Sequence, residues 1–235
     1  MNRVPEGHPG HKAFTAEAVA RALLLICAVA AIFAVCAITF YMFANGLPAL
    51  GKVGVTELLF GTVWKPTAAE PQFGIAYIIL SSVVGTAFSV LLGVPVGLMT
   101  AVFLTEVSGK RMAAVVQPAV ELLAGIPSVV YGFFGIVVLV PMVRALGEKW
   151  DGSGNSMLTA SILLAIMILP TIIGVVEPAL RAVSPSYYEG ALALGATHER
   201  SVYTAVVPAA SSGILAGIVL GIGRAMGETM AVIMV

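Results

Sequence analysis

Charge is what this sequence has least of. Only 10% of its 235 residues are Asp, Glu, Lys or Arg, against about 25% in an ordinary soluble domain, so most of its surface is not built for water. The twelve basic and twelve acidic residues cancel, which leaves neither a basic footprint for nucleic acid nor an acidic face for a basic partner. Cysteine is nearly missing as well. Cys27 and Cys36 lie in one apolar run, at a spacing that suits neither a CxxC redox pair nor a zinc site, and they read as small membrane-helix residues. His8 and His11 stand among Pro and Gly without further ligands, so no metal site is expected. There is no Walker A loop, no HExxH and no Ser/His/Asp arrangement in recognisable context, so the chain is not expected to be an enzyme or to hold a cofactor.

Apolar residues fill the space that charge leaves. They make up 59% of the chain, and mean hydropathy is +1.03; this is an integral membrane protein, expected to be an all-α polytopic bundle. Residues 1–17 read as a polar tail. Ala22 to Phe43 is about the 20 residues that cross a bilayer and reads as a retained first helix. Ala44 to Phe73 returns to Gly, Pro, Lys and Glu, with Trp64 and Lys65-Pro66 marking an interfacial loop. Gly74 to Leu104, about 31 residues, would rise roughly 46 Å against a core of about 30 Å, so it must tilt, kink or protrude. Pro95 offers the kink site.

A third span is expected from about Ala119 to Leu146, but not as a uniform helix, because Gly125-Ile126-Pro127-Ser128 and Gly132 to Gly135 interrupt it. Irregular backbone at membrane depth must be shielded by protein or line a water-filled cavity. Ser128 and Tyr131 are therefore candidate pathway-lining groups, and Glu121 a candidate interfacial or subunit-contact carboxylate. The polar stretch Gly147 to Ser156, with Trp150, leads to a fourth span at Met157 to Val176, interrupted by Pro170.

Orientation follows from the basic residues. With the N-terminus in the cytoplasm, Arg3, Lys12, Arg21, Lys110, Arg111, Arg181 and Arg200 lie inside and Lys52, Lys65, Arg144 and Lys149 outside, which satisfies the positive-inside rule. That places Pro185 to Pro208 in the cytoplasm. Ser184 suits an N-cap, Pro185 a first helical position, and Gly195 the left-handed residue that ends a helix. Thr197 can cap a second helix running toward Val207, and Pro208 marks re-entry into the membrane.

The fifth span carries two charges. At about 100° per residue, Gly213, Gly217, Gly221 and Ala225 form one small-residue stripe, with Arg224 and Glu228 in the same arc. Small residues let membrane helices approach, so both charges should face protein. Leaving either in hydrocarbon would cost about 2.5–3.5 kcal/mol, which marks an intramembrane Arg and Glu as functional candidates. The plainer alternative is that the two, one turn apart, neutralise each other and lock helix packing.

Glu189-Gly190-Ala191, then Gly195, then Pro208 thirteen residues later, resembles the EAA signature of the permeases of ABC importers. Gly190 stands where the second signature residue is usually Ala. Asn45-Gly46-Leu47-Pro48-Ala49-Leu50, Trp64-Lys65-Pro66, Glu121 to Gly132 and Gly223 to Ala231 look more narrowly like the permeases of the phosphate-specific (Pst) importer, of the PstC type, whose PstA-type sister shares much of the pattern. The resemblance implies a type I importer (MetI-like) transmembrane domain over residues 18–235, with five spans present where six are typical. It implies that residues 185–207, through Glu189, Gly190, Ala191, Gly195 and Pro208, dock on a cytoplasmic ATPase. Partners implied are a homologous PstA-like permease, two ATP-binding subunits and an external phosphate-binding protein, in a bacterial cytoplasmic membrane. Arg224 would then attract phosphate, with Glu228 holding its guanidinium or trading partners. A permease for molybdate or sulfate and an ion-coupled secondary transporter remain the alternatives.

Overall fold

The structure, a computed structural model, describes residues 11–147, 154 and 156–235. Arg3 and His8 of the expected tail, and Lys149 and Trp150 of the expected polar loop, lie outside the described residues. The chain divides into two compact units, one up to Tyr77 and one from Ile78 to Val235.

The first unit is dominated by α1 (His11–Val53), which corrects two expected boundaries. Residues 11–17, expected as tail, are already helical, and the span expected to stop at Phe43 continues for another ten residues. Pro48 lies inside it; a proline there forfeits one backbone bond without forcing a stop. Asn45 turns its amide onto the Tyr41 carbonyl at 2.8 Å instead of opening a turn. The stop comes at Gly54, whose φ of 85° needs glycine. Then follow α2 (Val55–Phe60) and a hairpin of β1 (Trp64–Lys65) and β2 (Gln72–Phe73), antiparallel with Trp64 opposite Phe73. The two rings meet edge-on at 5.9 Å. Along α1 apolar side chains are exposed on every side, as suits a helix surrounded by lipid.

Helix α3 (Ala76–Val102), all but its first two residues in the second unit, is unbroken at Pro95 and ends in a π-helical turn, Phe103–Val107. The third apolar region breaks where its Gly-Ile-Pro sequence predicts: α4 (Lys110–Gly125) stops, and a new helix begins as α5 (Ser128–Phe134). A π turn, Gly135–Leu139, joins α5 to α6 (Val140–Gly147). The membrane-length stretch is therefore Ser128–Leu146, not Ala119–Leu146, and Glu121 sits on a separate helix. The fourth span, α7 (Met157–Arg181), exceeds its expected end at Val176 by five residues, with Pro170 and Pro178 both inside it. After it come α8 (Pro185–Ala193), α9 (His198–Ser201), a π turn Val202–Val206, α10 (Val207–Ala209), α11 (Ser211–Gly227) and α12 (Met230–Met234). Among the described residues four helices are long and apolar enough to cross a membrane, or five if the pair His198–Ala209 and Ser211–Gly227, bent by 71°, counts as one span.

Helix α7 is the axis of the second unit. Ile168, Ile172, Val176 and Leu180 form one buried cluster with Ala101 of α3 and Ala225 of α11, and Leu163 and Met167 form another with Tyr131 and Ala231. Lipid removes the hydrophobic drive between helices, so close contact of small residues has to hold them. A Cβ on Gly93 of α3 would come within 2.7 Å of Ile168 Cδ1, and one on Gly221 of α11 within 2.9 Å of Ile172 Cγ1. Both neighbours approach α7 through glycines, where an added Cβ would force Ile168 or Ile172 to shift. The small-residue stripe of the fifth span thus faces α7, with Gly217, Gly221 and Ala225 buried.

Candidate functional site

Arg224 lies in the last turn of α11, half-buried. Its Nη1 donates to Thr171 Oγ1 at 3.1 Å, so a hydroxyl beside Pro170 in α7 aims the guanidinium. Thr171 was not among the sequence candidates, although a lone polar residue following a proline at mid-span is the signal that would have found it.

Glu228 does not share Arg224's environment, contrary to the single helical arc expected. The helix ends at Gly227, and Glu228 is extended with φ −83° and ψ 113°. Its Oε1 accepts the Ala231 backbone N–H at 3.3 Å, satisfying one of the orphan donors that open α12. The carboxylate also lines a cavity of about 400 Å³ with Ser81, Ser82, Thr86 and Ser156, which Arg224 does not line. No hydrogen bond or ion pair joins Arg224 to Glu228, so mutual neutralisation is overturned by the helix break that separates them.

Tyr131 and Ser128 both belong to α5, just beyond the Ile126-Pro127 break. The Tyr131 hydroxyl donates at 2.7 Å to the Leu123 carbonyl, which also accepts the Ile126 N–H at 3.3 Å where α4 ends. Its ring is buried among Leu139, Leu163, Met167 and Ala231. Ser128 is half-buried at the first position of α5. Glu121 is exposed on α4 and lines a groove of about 300 Å³ with Gln117, Glu177 and Arg181. There Arg181 Nη2 meets buried Glu177 Oε1 at 2.9 Å.

The polar segment after α7 has the local build that its residues prescribe. Pro185 opens α8 after Ser184. Gly195 has φ 86°; its N–H donates to Leu192 O at 2.9 Å and the Ala196 N–H to Ala191 O at 3.1 Å, the paired bonds of a Schellman ending. Thr197 caps α9, its Oγ1 accepting the Arg200 N–H at 3.4 Å. Glu189 and Gly190 are exposed and Ala191 half-buried. Leu194, beside the turn, is 91% exposed, an apolar tip absent from the sequence candidates. Pro208 lies within α10, and the chain turns into α11 at Ala210, two residues later than expected.

One further connection ties this segment down. Tyr188 Oη lies 2.9 Å from His198 Nδ1, and His198 Nε2 lies 3.1 Å from the Glu106 carbonyl. Among the described residues no group of three or more His, Cys, Asp or Glu is placed to hold a metal.

Residues 93–235, which include every candidate above, match the family of binding-protein-dependent transport system inner membrane components. The chain belongs to that family. This permease is 40% identical over 221 residues to a probable ABC transporter permease protein YqgH of Bacillus subtilis, covering 93% of this chain and 71% of that one. It is 35% identical over 228 residues to the phosphate transport system permease protein PstC of Xylella fastidiosa, covering 89% and 69%. With a probable phosphate transport system permease protein PstC of Methanocaldococcus jannaschii the figures are 32% over 213 residues, 83% and 66%. The all-α membrane bundle of this permease agrees with that family.

Proposed function

We infer that this permease is the membrane subunit through which an ABC importer moves inorganic phosphate inward, with ATP hydrolysed by a separate subunit. The carrying observation is Arg224: a guanidinium in a membrane segment, bonded to a neutral hydroxyl and to no carboxylate among the described residues. A buried or half-buried charge is costly in a membrane unless something answers it, and a guanidinium is well made to hold an oxyanion by charge-assisted hydrogen bonds. Relatives named as phosphate permeases, 32–35% identical over most of the chain, supply the substrate. Glu228 lies further along the same path, in the hydroxyl-lined cavity. Ser128 and Tyr131 flank the path where α4 gives way to α5, with Tyr131 acting as a wall, since its proton is committed to Leu123.

Residues 185–207 receive the driving force. Glu189, Gly190, Ala191, Gly195 and Pro208 set the shape of that docking segment, and exposed Leu194 and Tyr187 offer it an apolar contact for the ATP-binding subunit. In this reading the N-terminus is cytoplasmic in a bacterial inner membrane. A homologous PstA-like permease, two ATP-binding subunits and an external phosphate-binding protein complete the assembly.

The test is uptake of labelled inorganic phosphate by the assembled transporter carrying Arg224→Ala or Arg224→Lys. Both should lose most ATP-dependent uptake, because lysine keeps the charge but not the planar fork. Undiminished uptake by an assembled Ala variant removes Arg224 from the path. Competition by molybdate or sulfate as effective as by phosphate, or uptake that persists without the ATPase, overturns the substrate or the energy source.

A further inference from the structure

Helices α7 and α11 are continuous in the chain with the segment 185–207, so motion of that segment reaches them directly. Helix α3 is not: Glu106, at its end, is 92 residues from His198. Yet His198 bonds there. The last carbonyls of a helix lack partners within it, and Glu106 C=O is such a group in the closing π turn. A carbonyl can only accept, so His198 carries its proton on Nε2 and donates it; Nδ1 is then a lone pair and accepts the Tyr188 hydroxyl proton. One neutral imidazole thus satisfies both neighbours. The Tyr188 and His198 rings also meet edge-on, with centroids 5.7 Å apart. Because Tyr188 is on α8 and His198 on α9, their bond crosses the Gly195 turn and fastens the two helices into one body. Beneath it Ala101 and Val102 of α3 pack in one buried cluster with Leu180, Val202 and Val206.

We propose that Tyr188, His198 and the Glu106 carbonyl form a latch that makes α3 move with the docking segment, with His198 as a positioning residue for transport. The latch rests on the reading of residues 185–207 as the ATPase-driven joint. Its consequence is specific: without it the ATPase still docks and still cycles, but part of each stroke fails to reach α3.

The experiment uses the complete transporter, reconstituted in lipid vesicles with its ATP-binding subunits and binding protein, and reads phosphate taken up per ATP hydrolysed. Tyr188→Phe keeps the ring and removes one hydrogen bond, so the ratio should fall about fivefold while ATP hydrolysis and assembly stay at the wild-type level. His198→Ala should fall at least as far, and Tyr188→Phe should add nothing to it. His198→Gln, which retains an amide donor for Glu106, should recover part of the ratio. An unchanged ratio in assembled Tyr188→Phe overturns the latch, whatever His198→Ala does. So does a parallel loss of assembly, hydrolysis and uptake in both variants, which is the signature of a bond that only stabilises. If the unaltered transporter itself shows no ATP-dependent phosphate uptake, the functional reading fails first and the latch falls with it.

Discussion

Arg224 and Glu228 are four positions apart in the chain but serve different partners: the guanidinium donates to the Thr171 hydroxyl at 3.1 Å, and the carboxylate accepts the Ala231 N–H at 3.3 Å. The break after Gly227 keeps them apart and leaves the guanidinium with a neutral hydroxyl as its hydrogen-bond partner. The first prediction concerns the residue that aims it. Thr171→Val preserves shape and removes a hydrogen bond to a charged group, a change of about 1.5–3 kcal/mol. Phosphate uptake at low substrate should fall roughly tenfold or more with assembly retained; initial rates in vesicles check it, and a wild-type rate would show that Thr171 does not position Arg224.

Packing of α11 on α7 gives a second prediction with an internal control. A Cβ on Gly221 meets Ile172, whereas one on Gly223, two residues on, meets nothing within 4 Å. Gly221→Val should destabilise the purified permease by about 1–3 kcal/mol through overpacking. Gly223→Ala should be neutral or stabilise by up to about 1 kcal/mol, as alanine does in a helix. Thermal unfolding in detergent decides, and equal effects at the two positions would contradict the contact.

The turn between α8 and α9 supplies the third. Gly195→Ala puts a Cβ on a left-handed residue with φ 86°, at a cost of about 1–2 kcal/mol. Gly190→Ala meets open space on α8 and should strengthen that helix by up to about 1 kcal/mol. Co-purification with the ATP-binding subunit should therefore weaken with Gly195→Ala and hold or improve with Gly190→Ala. The reverse order would remove the turn from the docking surface.

A fourth prediction is in pH. The Glu199 carboxyl is held below its ordinary value by its own backbone N–H first and by the Thr197 hydroxyl second. A lowered value in the folded chain means that its contribution is complete above the ordinary carboxylate range, about 4.3, and is lost as pH falls through the lowered value. The first turn of α9 should stay protected at neutral pH and loosen only on strong acidification. Amide exchange at Arg200, read against pH, checks this; protection that fades while Glu199 is still ionised would point to another group.

Much of the segment 185–207 was legible because its signals are local. Ser184-Pro185, Gly195 and Thr197 each act on their own few residues, and α8, the Schellman turn and α9 appear where those residues put them. The break at Ile126-Pro127 was legible for the same reason. What escaped were features set by distant partners or by the absence of a stop: α1 runs through Pro48 to Gly54, Tyr131 spends its hydroxyl on Leu123, and Thr171 and Glu106 acquire roles only when another helix arrives.

By itself the sequence determined that the chain is a membrane bundle with a polar, capped segment after its fourth span, since apolar content, small-residue stripes and capping residues act through local backbone and solvent preferences. Tertiary structure alone decided that Arg224 faces Thr171 instead of Glu228, and that His198 reaches α3. Helical periodicity can assign a side chain to a face, but it cannot foresee where the helix will break or which distant group will come to meet it.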